Sequence, residues 1–220
     1  VLYQYPKKYP HTTIVNLIYG SNFLFWYNTR MEIGLWGDSI TFGSCDSEAL
    51  GWAGRLRKTL PTDDYNQLYN FGICGETSGD LLKRFDIEAK AILPNKIIFA
   101  IGINDSKFPG DLDIHQVPPE EFEQNLNKLL QQAKNYTDQV TFIGLTKVAD
   151  EWRLIIGNRF LNEEIEKYDS IIKNVAEKNA CSYISVIDVI NPETDLADGL
   201  HPNAIGYQKM FEKIQSEFIL

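Results

Sequence analysis

Beyond Met31, short apolar runs alternate with segments of helical periodicity, and this alternation constrains the fold more tightly than any other feature of the chain. A strand, a helix and a second strand return to one sheet through a crossover, so repeated alternation predicts parallel strands with helices on both faces. Five β-rich runs bounded by turn residues are predicted as strands: Glu32 to Trp36, Asn66 to Phe71, Lys96 to Ile101, Gln139 to Leu145 and Ser182 to Ile187. Between them, Trp52, Leu56 and Leu60 recur at four-residue spacing. Phe122, Leu126, Leu129, Leu130 and Ala133 form a stripe opened by Pro118-Pro119 and acids, and Leu161, Ile165, Tyr168, Ile172 and Val175 form another. Asn203 is placed to cap a closing helix that carries Met210, Phe211, Ile214 and Phe218. Such stripes are core faces and carry no chemistry.

A length of 220 residues suits one α/β domain and is short for two. The excess of 30 acidic over 21 basic residues gives a net charge of −9, which opposes a phosphate-tracking surface, so nucleic acid is excluded as a partner. Cys45, Cys74 and Cys181 are too few and too irregularly spaced for a disulfide framework or a zinc site, and reduced thiols point to the cytoplasm. No apolar run reaches the roughly 20 residues of a membrane span. The longest, Thr12 to Tyr27, is broken by Asn16, Gly20, Ser21 and Asn22, and no small-x-small cleavage site follows it, which leaves export as the minority reading.

Residues 1–30 differ in kind from the rest. They contain no Asp or Glu, yet hold Tyr3, Tyr5, Tyr9, Tyr19, Phe23, Phe25, Trp26 and Tyr27. The reading is an N-terminal appendage at 1–30 and a domain at 31–220. Within the appendage, two β-prone runs flank Gly20-Ser21, a type II′ hairpin signal. Such a hairpin is compatible with packing on the domain or with pairing in a homo-oligomer.

In an open parallel sheet the site lies beyond the carboxyl ends of the strands. After the first strand comes Gly37-Asp38-Ser39-Ile40, after the second Gly72-Ile73-Cys74-Gly75-Glu76-Thr77, and after the third Gly102-Ile103-Asn104-Asp105. Before the closing helix stands Asp198-Gly199-Leu200-His201-Pro202. These are parts for acyl transfer. A serine hydroxyl is a weak nucleophile until a base takes its proton, which assigns Ser39 as nucleophile and His201 as base. Asp198, three residues earlier, can fix the imidazole tautomer through one tight turn. The Ser39 and Gly75 amides and the Asn104 side-chain amide can receive the charge that builds on a carbonyl oxygen. Each block alone has a plainer reading: Gly-Asp-Ser as a turn, Asn104-Asp105 as an Asx-turn, Asp198 and Asn203 as caps, Asn70 and Thr77 as turn and cap residues. The specificity lies in their order at successive strand ends.

Through these four blocks the sequence resembles the SGNH, or GDSL-type, hydrolase family over nearly all of Met31 to Leu220. The matching segments run from Trp36 to Gly43, Asn70 to Ser78, Gly102 to Asp105 and Asp198 to Asn203. The resemblance implies a flavodoxin-like three-layer α/β/α sandwich with a five-stranded parallel sheet. It also implies a Ser39–Asp198–His201 triad, with Gly75 and Asn104 joining the Ser39 amide in the oxyanion hole. Ile40 stands where the family often has Leu, and Ile103 replaces the Gly or Thr of the third block, which leaves the catalytic positions intact. The G-x-S-x-G elbow of α/β-hydrolases is absent.

The expected activity is hydrolysis of small carboxylic esters through an acyl-enzyme on Ser39, needing no metal or organic cofactor. Because the imidazole acts as base in its neutral form, activity is expected to fall at acidic pH. Carbohydrate O-acetylesterase, and thioesterase or lysophospholipase action, use the same triad and are the alternatives. A non-catalytic binding module of the same fold is the reading from another class. A metal-dependent hydrolase built on Asp38, Asp198 and His201 is disfavoured for want of a second placed histidine. Phe42, Phe108 and Trp152 are candidate substrate-binding aromatics. His115 is expected to be a solvated loop residue, and Cys45 and Cys74 small buried thiols near the site.

Overall fold

The computed structural model describes residues 30–61, 66–149, 155 and 157–218. The aromatic N-terminal hairpin expected at 12–27 lies outside the described residues, as do His11 and Trp152.

Strand β1 (Glu32–Gly37) leads into a single helical turn, α1 (Ser39–Phe42), and then α2 (Gly51–Arg57). Next come β2 (Gln67–Gly72), α3 (Ser78–Ile92) and β3 (Lys96–Ala100). A two-residue strand β4 (Phe108–Pro109), helix α4 (Pro119–Ala133), β5 (Val140–Ile143) and a second short strand β6 (Asn158–Arg159) follow. Helix α5 (Asn162–Lys178), β7 (Ser182–Ile184) and α6 (Ala204–Glu217) complete the order. Asn203 caps α6, accepting from the Ile205 and Gly206 amides as the sequence predicts.

Each of the five predicted strands forms, and all pair in parallel in the order β2-β1-β3-β5-β7. Helices α2 and α6 pack together on one face, while α3, α4 and α5 pack in sequence on the other. This is the expected three-layer α/β/α arrangement. The chain leaves β1 toward β2 on one side and later places β3 on the other, so the crossovers diverge and open a crevice at the carboxyl ends.

Some strands stop earlier than their apolar runs. At β5 the reason is visible: the Leu145 N–H donates to the Asp169 carboxylate at 2.8 Å, so a side chain replaces the next rung. Likewise α2 ends at Arg57, although Leu60 stays buried below it. The two long loops expected at 105–117 and 146–158 meet: β4 and β6 pair antiparallel, with Phe108 opposite Arg159 and Pro109 opposite Asn158. Periodicity over two residues cannot announce such a pairing.

Trp36 anchors the core beneath the site. Its ring stacks on Phe71 at 5.0 Å between centroids and meets Phe85 edge-on at 4.8 Å. Its indole N–H donates to Glu88 at 2.9 Å, so the buried donor is satisfied. Among the described residues no helix is long and apolar enough to cross a membrane.

Helix α1 sits against the ends of β1 and β2, and two glycines permit this. A Cβ at Gly37 would collide with the Ala100 carbonyl oxygen and the Thr41 hydroxyl. One at Gly72 would collide with the Phe42 amide nitrogen and lie 2.8 Å from the Asp38 carbonyl oxygen. Backbone cannot step aside as a flexible side chain can, so Gly72→Ala is expected to push α1 off the sheet. A lowered thermal midpoint, with loss of any reaction that depends on Ser39, is the expected result; an unchanged melting curve would show that α1 has room the packing denies it.

Candidate active site

The crevice holds the four polar blocks side by side. Asp38 caps α1, accepting the Ile40 N–H at 2.9 Å, and this capped turn lifts Ser39 onto the first helical position. Asn70 ties the turn to β2: its side-chain amide donates to the Thr41 carbonyl at 2.8 Å and its Oδ1 accepts from Gly72. Gly43, with φ of 95°, ends the turn in a left-handed conformation that suits glycine.

The segment before α6 folds as one tight turn. Asp198 Oδ1 accepts the backbone N–H groups of Leu200 and His201 at 3.0 and 2.8 Å, and Oδ2 lies 2.7 Å from His201 Nδ1. Burial opposes ionisation of Asp198, but the His201 backbone and ring, with the Leu200 amide, outweigh it and hold the carboxyl below its ordinary range. An ionised carboxylate only accepts, so in the neutral ring the proton resides on Nδ1 and Nε2 presents its lone pair. Ser39 Oγ lies 2.8 Å from that Nε2. The three groups thus form a relay in which the hydroxyl donates to the imidazole and the imidazole donates to the carboxylate.

Three N–H groups on residues that line the cleft with the hydroxyl lack a partner among the described residues. The Ser39 and Gly75 backbone amides donate to no group among the described residues. Gly75 takes φ of 81°, and a Cβ there would meet nothing within 4 Å. Asn104 Nδ2 donates to the Glu76 carbonyl at 3.0 Å, leaving its second hydrogen. Unsatisfied donors converging near a nucleophile are the requirement for holding a developing oxyanion.

Ser39, His201, Asp198, Gly75 and Asn104, all named from the sequence, line one cleft of about 430 Å³. Ile155, Phe160 and Leu200 supply its apolar wall. Another depression, of about 310 Å³, lies at the opposite end of the sheet around Lys96, Val140 and Ser182 and brings no nucleophile and base together.

The candidate substrate aromatics fare differently. Phe42 is 59% exposed and does not line the cleft. Phe108 is buried away from it, with the His115 ring tilted against it at 4.4 Å between centroids and the Arg159 guanidinium 5.0 Å from its ring centre. Trp152 lies outside the described residues. His115 departs from its expected solvation: it is enclosed between Phe108 and Tyr168 and pairs with Glu164 at 2.9 Å. Cys45 and Cys74 also depart, since both are exposed in the cleft wall. Cys45 has φ of 65°, so its sulfur projects to 3.8 Å from Asp198 Oδ2, while Cys74 lies 3.2 Å from the Ser44 hydroxyl. Cys45, Asp198 and His201 also form a group whose donor atoms could hold a metal ion. Asp38 is not in that group, because it faces inward to cap α1.

Several supporting residues escape sequence reasoning. Arg84 donates to the carbonyls of Gly37 and Phe71 and pairs with Glu76 and Glu88, tying the ends of β1 and β2 to the second block. Tyr207 donates to the Ser44 carbonyl at 2.8 Å and braces the serine loop from α6. Asp105 accepts from the Ser78 amide and hydroxyl, which anchors the third block to the start of α3. On a single sequence Arg84 and Tyr207 are one more charged and one more aromatic helix residue, and Asp105, although named within the third block, gives no sign that Ser78 is its partner.

The first and third blocks of the site each place an acid in the interior. Burial pushes the Asp38 carboxyl up to about 7, with the Ile40 hydrogen bond opposing the rise and the Asp105 charge reinforcing it. Burial likewise raises Asp105 to about 6, against the hydrogen bonds from Ser78.

Residues 35–209 match the GDSL-like lipase/acylhydrolase family. A multidomain esterase of Ruminococcus flavefaciens is 32% identical over 178 residues, covering 79% of this chain; the match spans 20% of that relative's length. The lipase/acylhydrolase of Enterococcus faecalis superposes with a TM-score of 0.71 at 23% identity, over 85% of this chain and 94% of that one. The acetylxylan esterase of Geobacillus stearothermophilus gives 0.68 at 20% identity, over 85% and 94% of the two chains. At these identities the structural likeness is one of fold.

A carboxyl whose folded pKa exceeds its unfolded one takes up a proton on folding, so its stabilisation is full below the unfolded value and is lost as pH rises through the folded one. For Asp38 that window runs from about 4 to about 7. Asp38→Asn keeps an acceptor for Ile40 but cannot ionise. Its thermal midpoint is expected to gain on that of the wild type as pH rises from about 5 to 8. Parallel midpoints across that range would show that the interior carries an ionised Asp38 throughout.

Proposed function

The chain belongs to the GDSL-like lipase/acylhydrolase family, and from that membership we propose that it is a serine ester hydrolase acting through an acyl-enzyme on Ser39. One observation carries the reading: Ser39 Oγ stands 2.8 Å from His201 Nε2 while Nδ1 of the same ring stands 2.7 Å from Asp198. His201 accepts the hydroxyl proton as Ser39 attacks the ester carbonyl, and Asp198 stabilises the imidazolium that forms. Charge on the carbonyl oxygen is received by the Ser39 and Gly75 amides and Asn104 Nδ2. The imidazolium then protonates the departing alcohol. A water, deprotonated by the same nitrogen, releases the acid and restores the hydroxyl.

The substrates are small carboxylic esters, a class suited to an open cleft of about 430 Å³ with an apolar wall at Ile155, Phe160 and Leu200. Within this class, acetyl esters of carbohydrates form a second reading, favoured by the fold shared with an acetylxylan esterase and the sequence shared with a multidomain esterase. Residues 31–220 constitute the catalytic unit and residues 1–30 an appendage, a division supported by the family match beginning at 35. A cytoplasmic setting is supported by three cysteines that form no disulfide, and the charge of −9 argues against nucleic acid.

Purified protein is expected to hydrolyse p-nitrophenyl acetate and butyrate faster than the octanoate, and Ser39→Ala to reduce each to the buffer rate. Asn104→Ala should lower kcat by about 10² to 10³. Equal rates for wild type and Ser39→Ala would sink the serine mechanism and favour a binding module. Acetate release from acetylated xylooligosaccharides exceeding that from simple acetates would select the carbohydrate reading.

A further inference from the structure

Asn104 is held at both ends of its amide. Nδ2 donates to the Glu76 carbonyl at 3.0 Å, and Oδ1 lies 3.3 Å from Lys107 Nζ. An ammonium has donors and no acceptor, so Lys107 tolerates only the oxygen of the amide beside it. Turning the amide over would set oxygen against the Glu76 carbonyl and NH2 against the ammonium, two repulsive contacts in place of two attractive ones. One orientation survives, and it leaves an N–H in the cleft beside Ser39.

Lys107 is itself unusual. It is half-buried and lines the same cleft as Ser39 and Gly75. Among the described residues it forms no ion pair, whereas the partly buried Lys147, Lys209 and Lys213 are each matched by a carboxylate. Asp105 lies nearby in sequence but is occupied by Ser78. The ammonium therefore has Asn104 Oδ1 as its hydrogen-bond partner and no carboxylate at ion-pair distance, with the Asp105, Asp38 and Asp80 charges acting on it from farther away.

We propose that Lys107 is a positioning residue of the oxyanion hole, locking the Asn104 amide in its donating orientation. The proposal rests on the serine ester hydrolase reading. The locked amide meets negative charge only as the carbonyl oxygen becomes an oxyanion, so the effect of Lys107, exerted through Asn104, falls on kcat rather than on substrate binding.

The test combines Lys107→Met, which keeps the stem and removes the charge, with Lys107→Arg, Asn104→Ala and the Lys107→Met/Asn104→Ala pair, assayed on p-nitrophenyl acetate. Lys107→Met is expected to lower kcat about tenfold with KM within about twofold, and Lys107→Arg to recover most of the loss. In the Asn104→Ala background the same change should cost less than about twofold, because its target is gone. Full kcat in Lys107→Met, or an equal loss in both backgrounds, overturns the proposal. A readout independent of turnover uses protein labelled with 15N-asparagine. The Asn104 side-chain NH2 resonances, assigned by their disappearance in Asn104→Ala, should shift in Lys107→Met and return in Lys107→Arg; unmoved resonances overturn the lock. Absence of turnover in wild type and Ser39→Ala alike is a different result, which removes the hydrolase reading while the resonances still decide whether Lys107 orients Asn104.

Discussion

Close approach of backbone to backbone at Gly37 and Gly72 governs the geometry of the crevice. These residues face each other across the last rung of the β1–β2 ladder, and α1 rests on them without an intervening Cβ. The serine therefore stands on a turn whose height above the sheet is set by hard contacts rather than by adjustable side chains. Asn70, Arg84 and the Asp38 cap then fasten that turn with directional bonds. Sterics fix the distance and hydrogen bonds fix the rotation. A methyl group inserted beneath the turn would disturb both at once.

Features written within a few consecutive residues were legible before any coordinates. Strand segments announce themselves by apolar runs between turn residues, and the four polar blocks sit at their ends because a parallel sheet puts every strand's exit on one edge. The Asp198–His201 pairing is legible for the same reason, since one turn contains it. Features made by distant side chains were not. Nothing local to Arg84 says that it will reach the carbonyls of Gly37 and Phe71, and nothing local to Phe108 says that Arg159 and His115 will enclose it. Cys45 misled: it takes a left-handed φ, uncommon for a cysteine, and its sulfur lies exposed beside the Asp198 carboxylate instead of in the core.

Donors and acceptors are distributed unevenly around the crevice. Behind it, polar groups are heavily matched: Asp105 on Ser78, Asp46 on the Gly51 amide and Arg55, Asp195 on the Asn191 amide and Lys209. At its mouth, the Ser39 and Gly75 amides are left over. A surface that satisfied those amides internally would be more stable and would have nothing to offer a carbonyl oxygen. The buried acids follow the same division. Asp38 and Asp105 are held by backbone donors in an apolar interior that favours their protonated forms, while Asp198, at the edge with access to solvent, is held ionised.

Asp198 and His201 share one turn, bridged by two backbone amides as well as by the ring. Of the two contacts in the relay, only the one from Ser39 to His201 depends on the long-range fold, joining positions 162 residues apart. The other travels with the chain wherever the turn goes. A shift of α6 relative to the sheet would thus carry acid and base together, altering a single distance and leaving the imidazole tautomer unchanged. Alignment at this site is a one-variable problem, and the loops around it can diverge as long as they preserve that variable.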